Sequence, residues 1–446
     1  MKDFIERNLE NMIDDLGQLV AFDSKRSDDG FPFGLNNRKV LEKAIELMDK
    51  KGFKTENVDY YACYGEIGEG DKTIGLLAHL DIVPAGEGWL SDPFTLTKKD
   101  GKLYGRGVSD DKGAAIASMY ALKYLKEINY PLKKKVRLIL GCNEETGSAC
   151  IEHYVEKYGS VDMGFTPDAD FPGIYAEKGM VGGSLEGKNS KIINISGGEA
   201  TNIVCKKVIC EVLNDSFDEM KFKTFLEDNN ISFEIEKATT TTITVHGVSA
   251  HASTPDQGIN AINYLMEALY MADFNDSFVD FFHKNIGLCV HGEKMGFEDL
   301  KDEETNTSTN IGLIGKGDGV IIASLDIRFP VKTTFDKCLA LLNKINDEDN
   351  CFKERSSINP LYFDVEQPMI KALLKAYQDV TGDKKSKMSA IGGGTYAKAM
   401  DNIIAFGCEF AGESNHIHDA NEALDIESFK KQVEIYVEAI KNLNEV

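Results

Sequence analysis

Two short apolar runs separated by a helical segment constrain the fold of this chain most strongly. Thr73–Leu80 reads TIGLLAHL and Lys135–Cys142 reads KVRLILGC, and both have the pattern of buried strands. The segment Lys112–Glu127 between them is helical by pattern, as are residues 3–22 and the segment from about 37 to 51. Strands that alternate with helices predict an α/β domain with a mainly parallel central sheet.

The middle of the chain has a different texture. A Gly-, Ser- and Lys-rich stretch around 178–197 precedes strand patterns that alternate with helices predicted at 217–228 and 258–272. From Tyr362 the chain returns to a helix, a glycine loop, and a last strand and helix. Because 446 residues exceed one compact core, we predict a domain formed by residues 1–180 and 361–446, interrupted by an inserted domain at 181–360.

Charge and cysteine usage exclude several classes of partner. Lys and Arg number 50 against 73 Asp and Glu, and the net charge of −23 repels nucleic acid and anionic membranes. The amino-terminal segment is interrupted by acidic residues and predicts no signal peptide, and no apolar run approaches the length of a membrane span. Nine cysteines without a CxxC pair favour reduced thiols, so a cytoplasmic location is expected.

Histidine and acidic residues follow the two apolar runs. His79 and Asp81 lie two residues apart and share one side of a strand, where the carboxylate can accept the second ring N–H of the histidine. Glu144 and Glu145 point different ways, so one can bind a metal while its neighbour faces a water. A structural histidine and solvated surface acids are the alternatives for each motif taken alone.

Three further motifs add possible ligands. Asp110 and Asp111 lie in GRGVSDDKG where a helix begins, Asp168 lies in TPDAD, and His416 and His418 lie near the end. A helix cap explains one aspartate of the pair, a turn explains Asp168, and one or both histidines could ligate. Together these motifs provide two histidines and three carboxylates, which suit zinc, with manganese or cobalt as substitutes: His79, Asp110, Glu145, Asp168 and His418.

The sequence resembles the M20 metallopeptidases over almost its whole length. The motifs AHLD, GRGVSDDKG, NEETG, PDADFP, GVSAHASTPDQGINA, GGTYAK and IHDANE occur in family order and are specific as a set. The resemblance implies a zinc-exopeptidase-type catalytic domain interrupted by an α+β lid. It also implies hydrolysis of a peptide bond by a water that two zinc ions per chain activate.

The resemblance further implies roles for the acidic residues and histidines. The Asp110 carboxylate is expected to bridge two metals, and the peptide bond from Asp110 to Asp111 is expected to be cis. The remaining ligands are His79 and Asp168 on one metal, and Glu145 and His418 on the other. Asp81 orients His79, Glu144 acts as general base, and His416 has no family role.

The substrate residues implied by the resemblance lie mostly in the insert. His251, in GVSAHAS, is expected to donate a hydrogen bond to the oxyanion. Asn202 and Arg328 are expected to hold the substrate, and Arg328 would bind the carboxylate of the substrate. Backbone N–H groups of the glycine loop reach the same end, although a plain turn explains that loop equally: Gly392, Gly393, Gly394 and Thr395.

The length of the insert, together with EKGMV and GGTYAK, resembles the PepV-like dipeptidases, whose lid replaces a second subunit. A small dipeptide with a free amino terminus is therefore the expected substrate, and the active site is expected to be complete in a monomer, with a homodimer possible. An N-acyl-amino-acid amidohydrolase with the same metal site is the alternative. A non-catalytic binding protein is disfavoured because Glu144 and every implied ligand are present.

Overall fold

The computed structural model describes residues 1–446 and contains ten α-helices and 21 strands. The helices are α1 Lys2–Val20, α2 Leu35–Lys50, α3 Lys112–Glu127, α4 Ala149–Tyr158, α5 Glu219–Asp228, α6 Ala261–Met271, α7 Ser277–Asn285, α8 Phe335–Lys344, α9 Pro368–Thr381 and α10 Ile426–Glu445. The strands are β1 Lys54–Val58, β2 Ala62–Ile67, β3 Thr73–His79, β4 Thr97–Lys99, β5 Lys102–Tyr104, β6 Lys135–Gly141, β7 Met163–Thr166, β8 Ile174–Glu177, β9 Gly179–Gly187, β10 Asn194–Gly197, β11 Lys207–Val212, β12 Phe233–Lys237, β13 Thr241–His246, β14 Ser308–Asn310, β15 Ile314–Gly317, β16 Val320–Phe329, β17 Asn350–Ile358, β18 Leu361–Tyr362, β19 Ser389–Ile391, β20 Ile403–Ala405 and β21 Ala423–Asp425. No helix combines the length and the apolar character that a bilayer span requires.

The chain divides into two compact units. The outer unit comprises Met1–Tyr175, Phe363–Ser389 and Gly394–Val446. The inserted unit comprises Ala176–Tyr362 and Ala390–Gly393.

The outer unit is built on a mixed sheet with strand order β1-β2-β6-β3-β7-β20-β8. The predicted apolar runs form β3 and β6, which pair in parallel and are buried almost throughout, as expected for central parallel strands. β7 and β20 extend the parallel part, whereas β1, β2 and β8 pair antiparallel. The predicted α/β fold is confirmed, and its parallel arrangement is confined to the four central strands.

Helix α3 lies against α1 and α10 in the outer unit. Its buried face includes four alanines, whose small side chains allow close helix packing: Ala114, Ala115, Ala117 and Ala121. Asp111 is the N-cap position of this helix, so the acidic pair of GRGVSDDKG lies directly at its amino terminus.

A small antiparallel sheet, β21-β5-β4, connects distant parts of the outer unit. Ala423 pairs with Tyr104, and Leu424 pairs with Leu103. This pairing places the segment after His418 beside the loop that precedes α3.

The inserted unit contains a wholly antiparallel sheet with the order β12-β13-β11-β10-β15-β16-β9-β17. Alternate residues of the long strand β16, including Leu325 and Ile327, face the core that α6 and α7 complete. Helices α5 and α6 begin later than the apolar periodicity predicts. Asp218 and Asn260 are the N-caps of these helices, and their side chains accept backbone N–H groups of the first turn. Because an N-cap residue has a non-helical backbone, each helix begins only after it.

Candidate metal centre and substrate residues

The outer sheet brings the predicted ligand residues to one edge. His79 is the last residue of β3, Glu144 and Glu145 follow β6, and Asp168 follows β7. Since these three strands are adjacent and parallel, their carboxyl ends share an edge of the sheet. Asp110 reaches this edge from the start of α3.

Two groups of ligand atoms result, each within a span of 4.8 Å. The first comprises His79, Glu144 and Asp168. The second comprises Asp110, Glu145 and His418. All five residues that the resemblance implies as ligands are therefore brought together, and the implied base Glu144 lies among them.

Asp110 belongs to the second group and also contacts His79 of the first. Its Oδ1 is 2.9 Å from His79 Nε2 and its Oδ2 is 2.9 Å from His418 Nε2. The Asp110–Asp111 peptide is cis, as the resemblance implies. One carboxylate oxygen is thus directed at each group, which is the placement that a bridging ligand needs.

The protonation pattern indicates a site built for cations. Burial opposes the charged form of His79, but its hydrogen bonds to Asp110 and Asp168 prevail and hold its pKa well above the ordinary value. Hydrogen bonds to Asp110 and Glu145 raise the pKa of His418 to about 10. Burial, with the charge of Asp168, raises the pKa of Glu144 to about 8. In the metal-free protein, protons therefore balance the negative charge of the carboxylates.

The donor set fits divalent metals. Imidazole nitrogens and carboxylate oxygens are the ligands that zinc, manganese and cobalt share. Asp111 adds a fully buried carboxylate with one oxygen bonded to the His79 backbone N–H at 3.2 Å and the other without a partner. A buried acid of this kind is costly unless positive charge lies nearby.

Asp81 contacts more than the histidine with which the sequence paired it. His79 Nδ1 lies 3.1 Å from the Asp81 backbone oxygen and 3.5 Å from its carboxylate. The two carboxylate oxygens accept the backbone N–H groups of Glu144 at 3.0 Å and Glu145 at 3.1 Å. Asp81 therefore orients the glutamate pair as well as the histidine, which the sequence analysis missed.

The substrate residues predicted in the insert also converge. Asn202 and Arg328 line one cleft of about 420 Å³ in the inserted unit. The Asn202 backbone oxygen accepts the N–H of Ala252, the residue after His251, and Arg328 Nη1 donates to the Gly392 oxygen at 3.1 Å.

Arg328 has a partner that the sequence analysis did not identify. Its Nε and Nη2 donate to Asp326 at 2.8 Å and 3.1 Å. Residues two apart in a strand share a face, so the pattern Asp-x-Arg could have indicated this pair. Three of the five guanidinium N–H groups are used, and two remain for a ligand.

Two residues of the glycine loop belong to the outer unit. Thr395 caps the short 3₁₀ helix at Tyr396–Ala399 through a bond from the Ala397 N–H, and Gly394 precedes it. Gly393 lies in the inserted unit with Gly392. His416 is exposed, as expected for a histidine without a role.

Comparison with known proteins decides the family. The model of peptidase family M20/M25/M40 matches residues 75–442. The chain is an M20 peptidase. "Putative dipeptidase YtjP" of Bacillus subtilis is 33% identical over 459 residues, covering 98% of each chain. A "putative dipeptidase" of Staphylococcus haemolyticus is 31% identical over 468 residues, covering 99% of each.

Solved structures share the fold of this M20 peptidase. Human carnosine dipeptidase 1 has a TM-score of 0.62 at 16% identity, covering 100% of this chain and 98% of that one. The YXEP protein of Bacillus subtilis, described as a dinuclear metal binding peptidase, has a TM-score of 0.54 at 13% identity, covering 100% and 99%. The predicted family and its metallopeptidase class are confirmed.

Proposed function

We propose that this M20 peptidase is a dipeptidase that hydrolyses dipeptides with a free amino terminus at a site for two metal ions. The observation that carries the proposal is the pair of ligand groups around Asp110, with Glu144 beside them. The names of the relatives, both putative dipeptidases over nearly their full length, support the substrate class.

We assign the ligands as the sequence predicts, with zinc as the metal. Asp110 would bridge, His79 and Asp168 would bind one ion, and Glu145 and His418 the other. Two bound metals would lower the pKa of a water and polarise the scissile carbonyl.

Glu144 is the proposed general base. It accepts the proton of the attacking water and passes it to the departing amine. The backbone N–H groups of Glu144 and Glu145 both donate to Asp81, which fixes two adjacent residues whose side chains take different directions. This supports Glu144 as the base and Glu145 as a metal ligand. The raised pKa of Glu144, caused by burial and by Asp168, shows a carboxyl group that holds a proton readily when no metal is bound.

His251 is the proposed oxyanion donor. Its Nδ1 accepts the Ser253 backbone N–H at 3.2 Å and lies 2.7 Å from the Ser253 hydroxyl. Desolvation and the charge of Arg328 lower the pKa of His251, which favours the neutral ring. A neutral ring that accepts at Nδ1 carries its proton on Nε2, the tautomer that a donor needs.

Arg328 and Asn202 are the proposed contacts of the substrate carboxylate. Arg328 lines a cleft that Asn202 also lines, two of its guanidinium N–H groups are unused, and Asp326 holds the guanidinium in place. A fork of parallel N–H donors matches a carboxylate.

We further propose a cytoplasmic location, in keeping with nine cysteines that are all thiols.

Matched substrates test the proposal. Protein stripped of metal and reloaded with zinc, manganese or cobalt is given a dipeptide, its N-acetyl derivative, a tripeptide and an N-acetyl amino acid. We expect kcat/KM for the free dipeptide to exceed that for its N-acetyl derivative by at least about 100-fold. A site that binds a free amine discriminates against a substrate in which that amine is acylated. Faster turnover of the acetylated compounds would establish the amidohydrolase alternative.

A further inference from the structure

Glu422 occupies an unusual position beside the metal centre. It follows His418 by four residues and is fully buried. Its Oε1 accepts the backbone N–H groups of Ser109 at 2.9 Å and Asp110 at 3.1 Å. Its Oε2 accepts the N–H of Gly107 at 2.9 Å and Arg106 Nη1 at 2.8 Å. Every donor to this carboxylate therefore belongs to the loop that ends in Asp110.

The buried ion pair between Arg106 and Glu422 is stabilised by further contacts of both residues. Arg106 is 1% exposed, lies 5.3 Å from the centre of the Trp89 ring, and also donates to the Ala85 backbone oxygen. Charge-assisted bonds to the carboxylate offset the large cost of removing an ion pair from water. Because all four bonds converge on one group, the conformation of the loop depends on Glu422.

The same segment ties the loop to the last ligand. The Gly105 N–H donates to the Glu422 backbone oxygen, and the Ser109 hydroxyl donates to the Ala423 oxygen at 3.2 Å. Asp110 and His418 lie at the two ends of this connected structure, with their ligand atoms 2.9 Å apart. A shift of the loop would move Asp110 relative to both histidines, since each of its oxygens faces one of them.

We propose that Glu422 is a positioning residue of the metal centre, which holds the Asp110 carboxylate between the two ligand groups and sets its distance to His418. This inference rests on the proposed two-metal site. Glu422 does not itself face the ligand groups, because both of its oxygens are occupied by the loop.

Glu422→Gln tests the proposal because it keeps the shape and places an NH₂ group against N–H donors. We expect metal affinity, measured by competition with a chelator, to fall by about 10- to 100-fold, the usual effect of losing a residue that orients a ligand. The visible absorption of the Co²⁺-loaded protein should change as well, because the Asp110 geometry is altered.

Glu66→Gln is the matched control. Glu66 is a buried glutamate of the same unit that binds Arg137 at 2.8 Å and 2.6 Å, but it touches no residue of the ligand groups. The Glu66→Gln substitution should lower the melting temperature, while metal affinity and the Co²⁺ spectrum stay as in the wild type. Equal loss of affinity in both variants, or an affinity of Glu422→Gln within twofold of the wild type, would overturn the inference.

If Glu422→Gln does not fold, Glu422→Asp replaces it: the charge is kept, but the shorter side chain cannot reach all four donors of the loop, so metal affinity should again fall by about 10-fold or more. An affinity of Glu422→Asp within twofold of the wild type would overturn the inference. If the wild type binds fewer than two metals, the proposed function fails; if it binds two and Glu422→Gln binds them equally well, only the inference about Glu422 fails.

Discussion

Replacing Asp81 by alanine separates the role that the structure gives this residue from the role that the sequence suggested. If Asp81 only orients His79, its loss weakens one metal ligand. If it also holds the Glu144–Glu145 backbone, its loss displaces the proposed base, and kcat falls even when both metals are bound. A displacement of about 1 Å in a catalytic group costs on the order of 100-fold in rate.

The loss of stability follows from the two hydrogen bonds. Each N–H bond to a charged acceptor contributes about 1.5 kcal/mol when the donor is only partly buried. Asp81→Ala should therefore lower the free energy of unfolding by about 3 kcal/mol, and Asp81→Asn, which keeps one acceptor oxygen, by about half as much. Relief of repulsion between Asp81 and Glu144 acts in the opposite direction, so these figures are upper values.

Urea unfolding of the metal-free protein measures stability, and metal content with steady-state rates measures the site. Asp425→Ala is the control, because Asp425 also accepts two successive N–H groups, of Glu427 and Ser428, but at the start of α10. Asp425→Ala should lower the free energy of unfolding by about 1 kcal/mol, the usual cost of losing a helix cap, and leave kcat unchanged. A normal kcat in metal-loaded Asp81→Ala would refute the assignment of the glutamate pair to Asp81.

Three further outcomes are expected. Glu144→Gln should keep both metals and lose about 100-fold or more in kcat, whereas Glu145→Gln should lose a metal; the reverse pattern would exchange their roles. His251→Ala should lower kcat by about 100- to 1000-fold at unchanged metal content, and a mixture of Glu144→Ala and His251→Ala chains should stay inactive unless the histidine acts across subunits. The raised pKa values of His79, His418 and Glu144 leave all three groups mainly protonated in the metal-free protein at pH 7. Filling the site should therefore release about two protons from the histidines and a further one from Glu144, and metal affinity should rise with pH; calorimetric titrations in buffers of different ionisation enthalpy measure this release.

The sequence alone indicated the family and the α/β fold, and it supplied the candidate site residues that the structure brings together. Apolar runs such as TIGLLAH specify buried strands through local composition, and motifs such as NEETG place acids directly after them. These features depend on neighbours in the chain, so they are readable without coordinates.

What only the tertiary structure decided is which backbone groups those side chains hold. Asp81 bonds N–H groups about 63 residues away, and Glu422 bonds a loop more than 300 residues earlier. Arg328 is held by its neighbour Asp326 but also by Gly392, which lies in another stretch of the chain. Buried carboxylates must find donors, but any loop that the fold brings near can supply them, and no local pattern reveals which loop that is.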